Sequence, residues 1–543
     1  MLTLLDTIAA QVARLRVSVG ALGVWQARLL AFVLGAGAVF AMPPTYQIYL
    51  LIPAFGGFLW LSADATSRWR AFAVGWWFGA GFFAAGLYWV TFALLVEGDK
   101  FAWLIPFAIL GFAFGLGLFC AVTALIVRAV PGGLVARALL LAGVWGVLEW
   151  VRSWLFTGLP WNPLGSVWAF SDAALQGAAW IGVFGQSLLT VLAAASVAAL
   201  ADGKSRTAWR LVTLAFAGVA LMWGAGAVRL DGASTATVDG VRLRLVQPNI
   251  AQADKWKPEL LERNMMSQLQ LSSAPPKAGD PAPTHILWAE TAAPFFIENY
   301  TSWRRLVGRT TPPGGLTILG APRALKASEL GPDGTQSKSF RVANSMLAID
   351  EQGVVTATFD KFHLVPFGEY VPFADWLPLE KITQGLGSFT PGPGPRTLNL
   401  KGLPPVSPLI CYEVIFPHQV TDPDNRPQWL LNLTNDGWYG KTAGPYQHFV
   451  SARLRAVEEG LPTVRVAFTG ISGIIDGYGR VMKKLPLGEK GFIDGDLPQA
   501  IATPGWYGRW GNVLPVGLSV VVFLAGLVVA RRERNPRADQ AGT

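Results

Sequence analysis

Eight runs of apolar residues constrain this chain more than any other feature. Seven lie before residue 230, at about 28–44, 48–63, 71–96, 103–127, 136–156, 173–200 and 208–227, and the eighth at about 511–530. A helix needs about 20 mostly apolar residues to cross a bilayer. Inside lipid, such a run must satisfy its own backbone hydrogen bonds, which makes it a helix. The first two runs are short, but eight spans are self-consistent. Composition agrees: 52% of the 543 residues are hydrophobic, 23 are Trp, and 15% are charged, against about 25% charged in soluble domains.

The net charge of +9 is spread without a long basic run, so a nucleic-acid partner is not expected. Many of the cations flank apolar runs, where they orient a membrane protein. With alternating spans, Arg14, Arg16 and Arg28 share a side with Arg68 and Arg70, with Arg128 and Arg137, with Lys204, Arg206 and Arg210, and with Arg531, Arg532, Arg534 and Arg537. The opposite loops, near 45–47, 97–100 and 157–171, carry Lys100. No cleavable signal peptide is evident. This pattern predicts both termini in the cytoplasm and a multi-pass inner-membrane protein. Its large insert, residues 228–508, faces the periplasm. The expected organisation is a seven-helix membrane domain (1–227), an extramembrane domain (228–508), a last span (509–531) and a disordered charged tail (532–543).

The insert is richer in Pro, Asp, Glu and Asn, and its short apolar runs alternate with turns. Strands are predicted at 241–246, 285–289, 316–320, 345–350, 354–359, 407–411, 429–433 and 464–469, and helices at 257–271 and 445–459. Residues 344–360 read as a hairpin around Glu351-Gln352-Gly353. Strands alternating with helices predict a layered α/β sandwich. The Gly/Pro-rich stretch 389–395 is expected to form a mobile outer loop.

Three strand ends carry reactive side chains. Ile286-Leu287-Trp288-Ala289 stops at Glu290, Phe359-Asp360 stops at Lys361, and Pro408-Leu409-Ile410 stops at Cys411. Cys120, the other cysteine, sits in an apolar run and reads as a small buried hydrophobe. A Glu, a Lys and a Cys together suit acyl transfer. The thiol is a nucleophile, the carboxylate moves protons, and the ammonium lowers the thiol pKa and steadies an oxyanion. Taken singly, each has an ordinary structural explanation. The thiol pKa is open, because burial raises it and Lys361 lowers it. His363 has no second metal ligand near it in sequence.

The combination is more specific. Trp288-Ala289-Glu290, Asp360-Lys361 with Leu364-Val365-Pro366-Phe367-Gly368-Glu369, and Ile410-Cys411-Tyr412-Glu413 resemble the nitrilase (carbon–nitrogen hydrolase) superfamily. Val246–Ile250, Asn432–Tyr439 and Arg453–Glu458 resemble it as well. With membrane spans on both sides, nearly the whole chain is similar to that superfamily's apolipoprotein N-acyltransferase branch. The resemblance implies an αββα sandwich with Glu290 as general base, Lys361 as oxyanion stabiliser and Cys411 as nucleophile. Trp256, Glu369, Tyr412 and Glu413 take supporting roles. It implies ping-pong transfer of an acyl chain from a phospholipid, typically phosphatidylethanolamine. The chain passes through a Cys thioester to the α-amine of the diacylglyceryl-cysteine of an apolipoprotein, with no metal or other cofactor. A monomer is expected.

Eight spans exceed what an anchor requires, so part of the lipid site is expected among them. Arg152, beside Glu149 near a span end, and Trp161 in the Gly/Pro/Trp loop that follows are candidates. Two competing readings remain: an amide hydrolase that discharges the thioester to water, and a transporter or scaffold with an inert α/β domain.

Overall fold

The structure, a computed structural model, describes residues 2–203, 205–234, 236–325, 341–372 and 388–534. The described residues within 1–91, 104–232 and 505–543 form one compact unit. Those within 92–103 and 233–504 form a second.

The first unit begins with helix α1 (Leu2–Gly20), which the charged residues Asp6, Arg14 and Arg16 had hidden from a search for apolar runs. Then come α2 (Val24–Ala41), α3 (Ile48–Ala63), α4 (Arg68–Leu95), α5 (Gly98–Ala129), α6 (Leu134–Arg152), α7 (Ala178–Asp202) and α8 (Arg206–Asp231). Among the described residues, α2, α4 to α8 and the C-terminal helix Val513–Arg534 are long and apolar enough to cross a bilayer, and α3 is shorter. Seven long helices and this shorter one, confined between Pro43-Pro44 and Asp64, stand where the eight apolar runs were expected. Arg531 to Arg534 are not a disordered tail but the last turn of the C-terminal helix, where cations suit the helix dipole. Residues 535–543 of the expected tail lie outside the described residues.

Polar contacts gather several connections at one end of this unit. The Arg16 guanidinium pairs with Asp64 at 2.8 Å and with Asp202 at 2.9 Å. Asp202 also accepts the Leu134 N–H at 2.7 Å, and Glu533 accepts that of Gly133 at 2.6 Å. Arg137 donates to the Ala63 carbonyl at 2.6 Å. The ends of α1, α3, α7 and the C-terminal helix and the start of α6 therefore share a side.

Residues 157–171, expected as a connection between spans, are largely packed inside the unit. Residues 164–169 are buried, so their backbone needs internal partners. Arg152 donates to the carbonyls of Leu159 and Trp161. Glu149 accepts the Leu164 N–H at 3.0 Å, Ser187 accepts that of Gly165 at 2.7 Å, and Asn162 donates to the Gly86 carbonyl at 3.0 Å.

The second unit holds eleven strands in chain order among the described residues: β1 (Thr237–Gln247), β2 (His285–Trp288), β3 (Thr317–Ala324), β4 (Val342–Ile349), β5 (Val355–Asp360), β6 (Val406–Ile410), β7 (Trp429–Thr434), β8 (Thr463–Ala467), β9 (Ser472–Ile475), β10 (Val481–Leu485) and β11 (Gly491–Pro498). One sheet has the order β11-β1-β2-β3-β4-β5 and the other β10-β9-β8-β7-β6. Buried residues of both sheets, including Leu243, Leu245 and Leu287 from the first and Ile410, Leu431 and Val464 from the second, belong to one apolar core. Helices α9 (Leu261–Ser273), α10 (Thr301–Thr310) and α11 (Gly444–Glu459) complete an αββα sandwich.

The expected hairpin is present as β4 and β5, paired antiparallel from Ser345–Asp360 to Ile349–Val355. Its turn is held by Asp350, which accepts the N–H groups of Gln352 and Val354. Residues 389–395 are irregular as expected, but the loop is tied down. Phe389 donates to the Glu369 carbonyl, Thr390 to that of Val342 and Gly392 to that of Lys361, each at 2.8 Å.

Glycine sets helix spacing in the first unit. A Cβ on Gly75 would lie 2.4 Å from the Cys120 carbonyl oxygen, and one on Gly79 would lie 2.5 Å from the Gly117 Cα. These small residues, four apart, let α4 and α5 meet backbone to backbone. Gly79→Val should destabilise the unit by about 1–3 kcal/mol, read as a lower melting temperature in detergent. Gly111→Ala, where a Cβ meets open space, should leave it unchanged or raised.

Candidate active site

The ends of β2, β5 and β6 converge on one buried cluster. Lys361 follows β5 and is 1% exposed. Its ammonium donates to the Glu369 carboxylate at 2.9 Å and to Glu290 Oε1 at 3.5 Å. Asn344, on β4, donates to both carboxylates, at 2.7 Å to Glu290 and 2.9 Å to Glu369. Glu369 also accepts the Val365 N–H at 2.8 Å, which ties the Lys361–Pro372 segment back on itself. Burial alone would strip the Lys361 proton, yet the carboxylates of Glu369 and Glu290 hold its pKa above the ordinary lysine value. The cluster therefore contains a permanent cation.

Cys411 does not continue β6. Its φ of 53° is left-handed, a conformation costing roughly 1–2 kcal/mol for a residue with a side chain. Its carbonyl, turned out of the strand, accepts from His448 Nε2 at 3.1 Å and Asn432 Nδ2 at 3.4 Å. Behind these donors lies a buried network: Asp436 meets His448 Nδ1 at 2.8 Å and Arg465 at 2.7 Å, and Arg465 also donates to Asn432. Burial would raise the Asp436 pKa, but Arg465 and His448 bring it to about 2. The thiol is hydrogen-bonded by Thr434 and Tyr439. Burial pushes it up to about 12, with Glu290 adding to the rise and Lys361 opposing it. The competition left open by the sequence is thus won by desolvation.

Glu290 is followed by a second left-handed residue, Thr291, with φ 45°. The bend fits because β3 offers a glycine there: a Cβ on Gly320 would lie 2.4 Å from the Thr291 nitrogen. Glu413 joins two of the segments. Its carboxylate accepts the N–H groups of Ile410 at 2.6 Å, Phe362 at 2.6 Å and His363 at 3.1 Å. Burial lifts its pKa to about 8 against the pull of those donors and Lys361.

The other residues singled out in the sequence fall in different places. Tyr412 packs its ring against Phe416, at 5.0 Å between centroids, and against His363 at 5.7 Å. Trp256 follows the turn Gln252–Lys255, and its indole N–H is buried without a hydrogen-bond partner among the described residues. Arg152 and Trp161 belong to the first unit, where Trp161 packs against Trp89 with ring centroids 4.5 Å apart and planes inclined by 40°. Among the described residues, no group of three His, Cys, Asp or Glu side chains is placed to hold a metal.

Sequence reading missed Lys255, Asn344, Thr434, Asp436, Tyr439, His448 and Arg465. Several lie inside motifs it had quoted, but their partners are distant in sequence. The raised thiol pKa implies that Cys411 is a neutral thiol at rest. Alkylation by iodoacetamide, read on the Cys411 peptide, should rise about tenfold per pH unit from pH 6 to 9 without a plateau. A plateau below pH 8 would mean a resting thiolate.

Comparison with known proteins gives the family of the chain. Residues 34–196 match the apolipoprotein N-acyltransferase N-terminal domain. Residues 325–504, which include Lys361 and Cys411 but not Glu290, match the carbon-nitrogen hydrolase family. An apolipoprotein N-acyltransferase of Rhodopseudomonas palustris is 39% identical over 529 residues, covering 94% of this chain and 96% of its own. That of Bradyrhizobium diazoefficiens is 40% identical, with the same coverage. That of Brucella melitensis is 37% identical, covering 96% of this chain and 99% of its own. Among solved structures, an amidase of the nitrilase superfamily from Nesterenkonia AN1 is 20% identical and covers 48% of this chain and 93% of its own, with a TM-score of 0.33. By identity and coverage along nearly its whole length, the chain belongs to the apolipoprotein N-acyltransferase family.

Proposed function

We propose that this membrane acyltransferase takes an acyl chain from a phospholipid, phosphatidylethanolamine being the expected donor, and passes it through a Cys411 thioester to the α-amine of a diacylglyceryl-cysteine. The observation that carries the reading is the buried Lys361–Glu290 pair, which Glu413 ties to the Cys411 turn through the N–H groups of Phe362, His363 and Ile410. A thiol pushed up to about 12 is a poor nucleophile alone, so attack needs a base that removes its proton as the bond forms. Glu290 is that base. The sulfur attacks the ester carbonyl, and Lys361 stabilises the oxyanion that develops. The C–O bond then breaks, and the lysophospholipid oxygen leaves with the proton held by Glu290.

In the second half-reaction the acceptor's amine attacks the thioester. Glu290 takes the amine proton, the C–S bond breaks, and the proton returns to the departing sulfur. Glu369 and Asn344 keep Lys361 charged and Glu290 aimed, and Glu413 holds the two reactive segments together. Arg152 and Trp161 enter as supports of the buried 160–169 segment, through which they serve phospholipid binding. Trp256 and Tyr412 take supporting roles beside the site.

We infer a multi-pass inner-membrane protein, monomeric, with both termini cytoplasmic and the catalytic unit periplasmic. The polar contacts that gather the ends of α1, α3, α7 and the C-terminal helix on one side of the membrane unit support a common cytoplasmic face.

The full chain in mixed micelles, given phosphatidylethanolamine and a diacylated lipopeptide, should yield triacylated lipopeptide and lysophospholipid by mass spectrometry. Glu290→Gln and Lys361→Met should each lower kcat/KM by about 10²–10⁴-fold, and Cys411→Ala should abolish turnover. Wild-type rates in Glu290→Gln would refute the assignment of the base. Release of free fatty acid in place of triacylated product would indicate a hydrolase.

A further inference from the structure

Lys255 is a buried cation that the proposed mechanism does not use. It ends the short turn Gln252–Lys255 and is 1% exposed. Its ammonium donates to the Glu290 carbonyl at 3.0 Å and to Thr291 Oγ1 at 2.5 Å, and it lies 4.0 Å from the centre of the Phe468 ring. The turn is anchored from both sides: Asn435 donates to Gln252 at 2.7 Å, and Asn264 donates to the Asp254 carbonyl at 3.1 Å. Burial lowers the Lys255 pKa to about 7, while Glu290 and Cys411 pull it upward.

We propose that Lys255 is a positioning residue of this site: it clamps the Glu290–Thr291 peptide and so aims the Glu290 carboxylate. The inference rests on the reading of Glu290 as base. The left-handed Thr291 has no glycine's freedom and needs an external tie. Gly320 gives the bend room, but Lys255 supplies donors to two successive residues of it. Asn344 and Lys361 hold the far end of the Glu290 side chain, and Lys255 holds its backbone. The carboxylate is thus fixed at both ends. A general base loses effectiveness steeply when displaced, with about 1 Å costing up to about 100-fold.

The test is steady-state kinetics of the full chain in micelles with phosphatidylethanolamine and a diacylated lipopeptide. Lys255→Met should lower kcat by about 10- to 100-fold while KM for the phospholipid changes by less than about twofold. Lys255→Arg, which keeps charge and donors, should recover a substantial part of the loss. Wild-type kcat in Lys255→Met overturns the proposal. So does a loss that Lys255→Arg shares in full and that a lower melting temperature accompanies, since that marks simple packing. If Lys255→Met does not fold, Thr291→Val carries the test. It removes one acceptor at constant volume and should lower kcat about fivefold at unchanged KM; wild-type kcat there overturns the proposal. Full activity in Glu290→Gln would instead sink the underlying assignment of the base, whatever Lys255 does.

Discussion

The catalytic unit is organised around one buried cation, the Lys361 ammonium held between the carboxylates of Glu369 and Glu290. Taking such a charge out of water costs several kcal/mol, and an unpaired lysine at 1% exposure would shed its proton. Two carboxylates and the Asn344 amide prevent that. Maintaining them fixes much of the rest. Glu369 must fold its segment back through the Val365 N–H, and the loop at 389–392 must close over the end of β5. Glu413 must bind the Lys361 segment to the turn after β6. The result is a fixed positive charge facing a thiol whose own charge is suppressed by burial.

The two left-handed residues follow from the same demand. Side chains within a strand alternate between the two faces of the sheet, and the left-handed backbone at Thr291 and Cys411 ends that alternation where the reactive groups stand. Each bend is stabilised locally, Cys411 by donors from β7 and α11 onto its carbonyl, and Thr291 by the Gly320 gap and the Lys255 ammonium. Strain of this kind persists only where surrounding structure over-determines it. The Asp436–His448–Arg465 network gives that support beneath Cys411.

Much of this was legible in the sequence, for identifiable reasons. Glu290, Lys361 and Cys411 each end an apolar β run, so composition changes sharply where they stand. The hairpin of β4 and β5 announced itself by Glu351-Gln352-Gly353 between β-rich segments. By contrast, β10 carries Lys483 and Lys484 and is largely exposed, and β11 contains two glycines and two aspartates, so neither reads as a strand. Helix α10, Thr301–Thr310, is short, and its apolar stripe is only Trp303, Leu306 and Val307. Lys255 and Asn344 were invisible as site residues because what makes them so is a contact across 35 residues in one case and 54 in the other. The burial of residues 160–169 was not legible, because Gly, Pro and Trp signal a connection but not what it packs against. A buried network through Arg152, Glu149, Ser187 and Gly86 satisfies the backbone of this segment.

The central claim is a covalent acyl-enzyme on Cys411, and intact-mass analysis tests it most directly. The full chain would be incubated with phosphatidylethanolamine and compared with Cys411→Ala. The account predicts a gain of one acyl group on the parent chain, absent from the variant and removed by hydroxylamine or by a diacylated lipopeptide. A folded protein that gains no mass, or that gains it equally in Cys411→Ala, would contradict it.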